Sequence, residues 1–217
     1  KYVRLPEETM EHYQELAREA WLAIGNKVVD AVHAASMLTK LLQICSGNVY
    51  TEAKSVAHVC QDRISLITSL IQERDHPTVV ACVWQHQRQA LELKCKKEKI
   101  SFAYIDGSIS PKMRGEIINN FQAEEIQCLS VQPKAASHGI TLTAGRTVIW
   151  ASPTHNAEHW EQLNKRIHRI GQRHKTEIIR IAALDTAEEG VYFKLQAKLD
   201  RMDDLLELFA ESTRGVA

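Results

Sequence analysis

Two arginines three residues apart, Arg166 and Arg169, stand within Glu161-Gln-Leu-Asn-Lys-Arg-Ile-His-Arg-Ile-Gly-Gln172. On a helix this spacing puts both on one face, with Gln162 and Lys165 near it and His168 pointing elsewhere. No carboxylate stands four residues to either side of them, so the pair needs an anion from outside the helix. A guanidinium suits phosphate because its planar fork takes two oxygens at once and never loses its charge. A solvated basic face is the plain alternative. Gly171-Gln172, straight after the arginines at an expected helix end, sits less comfortably with it.

Two loops invite the same question. Ser130-Val-Gln-Pro-Lys-Ala-Ala-Ser-His-Gly-Ile-Thr-Leu-Thr143 leads from a strand through a polar stretch to His138-Gly139. Gly139 suggests a positive φ or a close approach to the backbone. Amides and hydroxyls there could hold a phosphate, yet the residues alone leave a plain turn equally open. Asp106-Gly107-Ser108 can cap a helix or meet a phosphate, and by itself it reads as an ordinary turn from strand to helix.

The elements that must position these residues fall into two styles. Residues 1–75 read as helical, with helices expected over 7–23, 28–44 and 59–72, a turn at Gly25-Asn26 and a stop at His76-Pro77. From 76 to 217 short apolar runs alternate with amphipathic ones. Strands are expected over 78–83, 101–105, 127–131, 147–151 and 177–182. Helical segments are expected over 85–97, 111–121 (capped by Ser110, with Pro111 in its first position), 133–138, 155–170 and 187–209. This alternation predicts a doubly wound parallel sheet flanked by helices, whose ligands meet the loops at the strands' carboxyl ends, here starting at Trp84, Asp106, Gln132 and Ser152.

Composition narrows the partners. The 217 residues carry 27 basic and 27 acidic side chains, so any nucleic-acid surface must be local. Lys165, Arg166, His168, Arg169, Arg173, His174 and Lys175 form such a strip. No run approaches a membrane span's length, and no charged-then-apolar start resembles a signal peptide. Cys45, Cys60, Cys82, Cys95 and Cys128 lack paired-ligand spacing, so they are expected as buried free thiols and no metal is assigned to them.

The block from Thr78 to Ile181 resembles the carboxyl-terminal RecA-like lobe of superfamily-2 helicases of the Swi/Snf group. Arg166-Ile-His-Arg-Ile-Gly-Gln172 looks like that group's sixth motif, and residues 129–143 resemble its fifth. Tyr104-Ile-Asp-Gly-Ser108, with Arg114 and Phe121 downstream, resembles the fourth-motif region. Lys40-Leu-Leu-Gln-Ile-Cys-Ser-Gly47 is similar to the segment that precedes this lobe in the family. The short spacings look more like bacterial or bacteriophage members than eukaryotic remodellers, which implies a cytoplasmic place in a bacterial or phage-infected cell, or a nuclear one if eukaryotic.

The resemblance implies a second motor lobe of an ATP-dependent DNA helicase or translocase, with a helical segment over 1–75 that links to a missing first lobe. Arg166 and Arg169 would reach the phosphates of ATP, whose Mg²⁺ and phosphate loop belong mainly to that first lobe. Gln162 and His168 would couple this site to its neighbours, and Gly139 would line the nucleotide cleft. Ser130, Gln132 and Lys134, with Asp106, Gly107 and Ser108, would meet the backbone of DNA, expected to be double-stranded, largely without regard to base sequence. Pro133 and Lys134 depart from the small residues usual in the fifth motif. The chain holds no G-x-x-x-x-G-K-[ST] and no D-E-x-H, so it is expected to be part of a longer ATPase and inactive alone. Two other classes compete: a non-enzymatic nucleic-acid or protein-binding module on the same fold, and a Rossmann-like enzyme. The latter lacks a G-x-G-x-x-G after its first strand.

Overall fold

The structure, a computed structural model, describes residues 1–25, 31–50, 56–58, 61–137 and 139–197. In chain order these form β1 (Tyr2–Val3), α1 (Glu7–Gly25), α2 (Ala31–Cys45), β2 (Asn48–Tyr50), β3 (Val56–His58), α3 (Asp62–Gln72), β4 (Thr78–Ala81), α4 (Gln85–Lys97) and β5 (Phe102–Ile105). There follow α5 (Pro111–Gln122), β6 (Cys128–Val131), a 3₁₀ turn (Pro133–Ser137), β7 (Thr147–Trp150), α6 (Ala157–Ile167), β8 (Glu177–Arg180), β9 (Ala182–Ala183) and α7 (Ala187–Ala197). The chain divides into two compact units, one of Lys1 with Asp62–Ile181, the other of Tyr2–Gln61 with Ala182–Ala217.

The first unit is built on a five-stranded, all-parallel sheet in the order β5-β6-β4-β7-β8. Parallel strands covered on both faces need apolar residues throughout, and β4, β6 and β7 are buried at every position. Exposure rises at β5 and β8 because they are the edges. The step from β4 to β5 runs one way along the sheet, while β5 to β6, β6 to β7 and β7 to β8 all run the other. With right-handed crossovers this reversal puts α4 on one face and α5, the 3₁₀ turn and α6 on the opposite one. The packing agrees, since α3 lies against α4 and α6 against the 3₁₀ turn. Arg63 of α3 is buried and donates to the carbonyls of Ala151 and Ile181 (3.2 Å to the latter), satisfying backbone groups beyond the sheet's last strands. This is the expected RecA-like sheet flanked by helices.

In the second unit α1 packs on α2 and α2 on α7, while β1 pairs in parallel with β9 and β2 with β3 as a hairpin. The phenol of Tyr13 accepts from the amide of Ala187 at 2.8 Å, and the buried Glu188 accepts from the amide of Ala183 at 2.7 Å. The stretch read as wholly helical therefore also holds three short strands. Runs of two or three residues are too brief to show a period of two. The expected turn at Asn26, the first residues of the second helix, Cys60, His138 and the end of the last helix lie outside the described residues. Cys45, Cys82, Cys95 and Cys128 are buried.

Candidate nucleotide and nucleic-acid surfaces

Helix α6 begins where Asn156 accepts from the amide of His159 (2.8 Å) and ends at Ile167, earlier than the sequence suggests. Its end is set from outside. The carbonyl of Arg166 accepts from the amide of Leu142 (3.0 Å), and that of Ile167 accepts from the Gln172 side chain (3.2 Å). His168 caps the helix, and Gly171 turns the chain at φ +102°, a conformation suited to glycine. Arg166 thus sits in the last helical turn and Arg169 beyond it, so the shared helix face gives way to a helix followed by a turn.

The two arginines converge nonetheless, because both reach the stretch from the 3₁₀ turn to Thr141. Arg166 Nε donates to the carbonyl of Ala136 at 2.9 Å. Arg169 Nη1 lies 3.4 Å from the carbonyl of Ile140 and 3.3 Å from Thr141 Oγ1. No described carboxylate pairs with either one. Burial lowers the pKa of Arg166, and the charge of Arg169 adds to that effect. Two cations held together by neutral acceptors form a site that an anion would relieve. Gly139, next to Ile140, has φ +66° and open space around it, as its expected backbone role requires. His168 turns away towards Thr176 (3.3 Å), and Gln162 is bonded to Glu158 within its own helix (2.7 Å). Among the described residues, neither side chain is hydrogen-bonded to the arginines.

Gln172, quoted in the motif but given no role, proves central. Its Nε2 donates to the carbonyls of Thr143 and Gly145 (both 3.0 Å) and of Ile167, while its Oε1 accepts from the amide of His174 at 3.0 Å. A side chain that meets four backbone groups leaves little freedom to the turn it spans.

The second group lies at the carboxyl ends of β4, β5 and β6, around a cleft of about 430 Å³. Asp106, Gly107, Ser108, Ser130 and Gln132 all line it, so five of the six expected nucleic-acid residues come together; Lys134 stands exposed on the 3₁₀ turn outside the lining. Asp106 Oδ1 accepts from the amide (2.9 Å) and hydroxyl (2.5 Å) of Ser108, which spends that carboxylate on shaping the loop. Gly107 needs no left-handed backbone there. Ser130 is buried and hydrogen-bonds the Cys82 thiol, which burial pushes up to about 12.

The cleft's cation is Arg88 of α4, which the sequence reading passed over. It stacks over the Tyr104 ring at 4.1 Å, pairs with Glu92 at 2.9 Å and lies 3.9 Å from Asp106 Oδ2. Trp84 begins α4 beside it, and Gln87 of that helix donates to Ser152 beyond β7 at 2.6 Å. Burial draws the neighbouring His86 imidazole down to about 4, leaving it neutral at ordinary pH. Arg88 could have been sought in the sequence as the first cation of the helix that follows the first strand of the sheet.

A family model described as helicase conserved C-terminal domain matches residues 62–171, half of the chain. The chain belongs to the helicase C-terminal domain family. Chromodomain-helicase-DNA-binding protein 1-like of Mus musculus is 35% identical over 161 residues, covering 74% of this chain and 17% of that protein. Putative protein p41 of Acyrthosiphon pisum secondary endosymbiont phage 1 is 26% identical over 213 residues, covering 94% of this chain and 44% of that one. The Sulfolobus solfataricus SWI2/SNF2 ATPase core in complex with dsDNA has the same fold as this helicase lobe, with TM-score 0.68 at 20% identity over 98% of this chain and 46% of its own. The lobe therefore spans less than half the length of each of these relatives. None of its described helices is long and apolar enough to cross a membrane.

Proposed function

We propose that this lobe is the second motor lobe of an ATP-dependent DNA helicase or translocase, with Arg169 as its arginine finger. The observation that carries this is the pair of guanidiniums held side by side by neutral acceptors, with no carboxylate among the described residues to neutralise either. Of the two, Arg169 is the better finger, because it is exposed and its two tethers are long. Arg166, firmly bonded to Ala136, shapes the floor beneath it. The residues present fit the phosphates of ATP. Mg²⁺ and the phosphate loop would be supplied by a first RecA-like lobe of the same parent chain, to which residues 1–75 lead.

In this arrangement Arg169 stabilises charge on the transferring phosphoryl group. Gly139 lines the nucleotide side, and Gln162 and His168 link it to neighbouring elements. The cleft with Asp106, Gly107, Ser108, Ser130 and Gln132, and Lys134 near it in sequence, takes the backbone of double-stranded DNA. The neighbour solved with dsDNA supports a DNA partner. Such a motor works where DNA is, in the cytoplasm of a bacterial or phage-infected cell or in a nucleus.

The test is DNA-stimulated ATP hydrolysis by the full-length protein. Arg169→Ala should cut turnover by ~10³ or more while ATP still binds. Unchanged turnover would overturn the assignment.

A further inference from the structure

Resting on that function, we infer that Gln172 and Gln122 are positioning residues for Arg169, acting through the turn at Thr143, Ala144 and Gly145. Neither touches the reacting atoms. Each grips the same turn from a different element. Gln172 comes from the turn after α6, its amide nitrogen donating to the carbonyls of Thr143 and Gly145 at 3.0 Å each. Gln122 comes from the end of α5, its Nε2 donating to Thr143 Oγ1 and its Oε1 accepting from the amide of Ala144, both at 3.0 Å.

The turn between them has no slack. A Cβ on Gly145 would lie 3.0 Å from the Phe121 ring and 3.3 Å from the carbonyl of Leu142, which also accepts from the amide of Gly145 at 3.1 Å. Phe121 itself is fully buried. The turn is therefore fixed to α5, and Gln172 fixes the arginine turn to it.

The clamp acts on Arg169 through two short steps. The amide of Gln172 donates to the carbonyl of Arg169 at 2.9 Å, and its side chain holds the carbonyl of Ile167 on the other side of that arginine. The backbone of Arg169 is thus pinned before and after, while its side chain is held only by contacts of 3.3 and 3.4 Å. A fixed base with a loosely tethered tip suits a group that must meet a phosphate held by another lobe. Misplacement of about 1 Å near the reacting centre can cost ~10²-fold in rate.

The experiment uses the full-length protein with saturating DNA. Gln172→Ala, and the near-isosteric Gln172→Glu, which cannot donate, should lower kcat by about tenfold or more. KM for ATP and DNA affinity should change little, while the melting temperature should fall, since the carbonyls of Thr143, Gly145 and Ile167 lose their donor. Gln122→Ala should lower kcat less, by roughly threefold, since Gln172 still grips the turn. In an Arg169→Lys background, Gln172→Ala should add much less than it costs alone, because the two residues act as one unit.

Unchanged kcat in both Gln172 variants would overturn the inference. So would a loss that persists in full beside Arg169→Lys. If Arg169→Ala itself leaves turnover intact, it is the proposed function that fails, and the two failures are told apart by that control.

Discussion

The arginine turn and the cleft both present guanidiniums to a prospective phosphate, and they handle the charge in opposite ways. Among the described residues, Arg166 and Arg169 meet only neutral carbonyl and hydroxyl oxygens. Arg88 is paired with Glu92, lies near Asp106 and stacks on Tyr104. A guanidinium held by neutral acceptors keeps its charge for an incoming anion. One already paired must exchange a carboxylate for a phosphate, which weakens the contact and makes it easy to release. A transferring phosphoryl group needs the first kind of site, whereas a DNA backbone along which a motor steps is served by the second.

The largest effect that could break this contrast is the loss of Arg169. Its removal should cost ~10³ or more in turnover, against far less for any residue of the cleft. If a cleft variant such as Arg88→Ala cost as much in kcat at saturating DNA, the division of labour would be wrong.

Arg166→Ala comes next and sharpens the comparison within the arginine site. It leaves the Ala136 carbonyl without its donor, so about 1–3 kcal/mol of stability should go with it, read as a lower melting temperature. Turnover should fall too, by about 10²-fold, since the chain under Arg169 loses its anchor. Arg169→Ala should leave the melting temperature nearly unchanged. If Arg169→Ala is the more destabilising of the two, the assignment of finger and floor is reversed.

What the sequence could tell differs between the two regions for a physical reason. The central strands were legible because burial on both faces demands continuous apolar runs, as at Thr78–Ala81 and Thr147–Trp150. The helix cap at Ser110 was legible because capping is local chemistry, and its side chain does accept from the amide of Met113 at 3.3 Å. The end of α6 was not, because Leu142 and Gln172 set it from outside. Periodicity carries no trace of a hydrogen bond to a residue distant in sequence. The same holds for Gln122, whose partners are 21 and 22 positions away, and for β1, whose partner strand is β9. The arginines stood out by type and spacing. Arg88 did not, because a cation four residues before a glutamate looks like any solvated helix pair until the fold sets Tyr104 under it.

Arg88→Ala tests the cleft directly. Losing one phosphate contact should weaken DNA binding uniformly across sequences and flatten the slope of log Kd against log salt by about one. Fluorescence anisotropy with duplexes of unrelated sequence, over a range of salt, reads both quantities. An unchanged slope would mean that Arg88 only braces Tyr104 and the Asp106 loop and is not a phosphate ligand.

Glu92→Gln is the smallest and most specific test, because it predicts a gain. The carboxylate is nearly half exposed, and a helix pair of this kind is worth about 0.3–0.5 kcal/mol. Releasing Arg88 from it should therefore tighten DNA binding by about twofold at low salt, with the gain fading as salt screens the contact. Arg88 would still be held over Tyr104, so the fold should be unaffected. The double variant Arg88→Ala with Glu92→Gln should show no such gain. If Glu92→Gln instead weakens binding, the pair is holding Arg88 in its working position, and the carboxylate would be a support for the cation rather than its competitor.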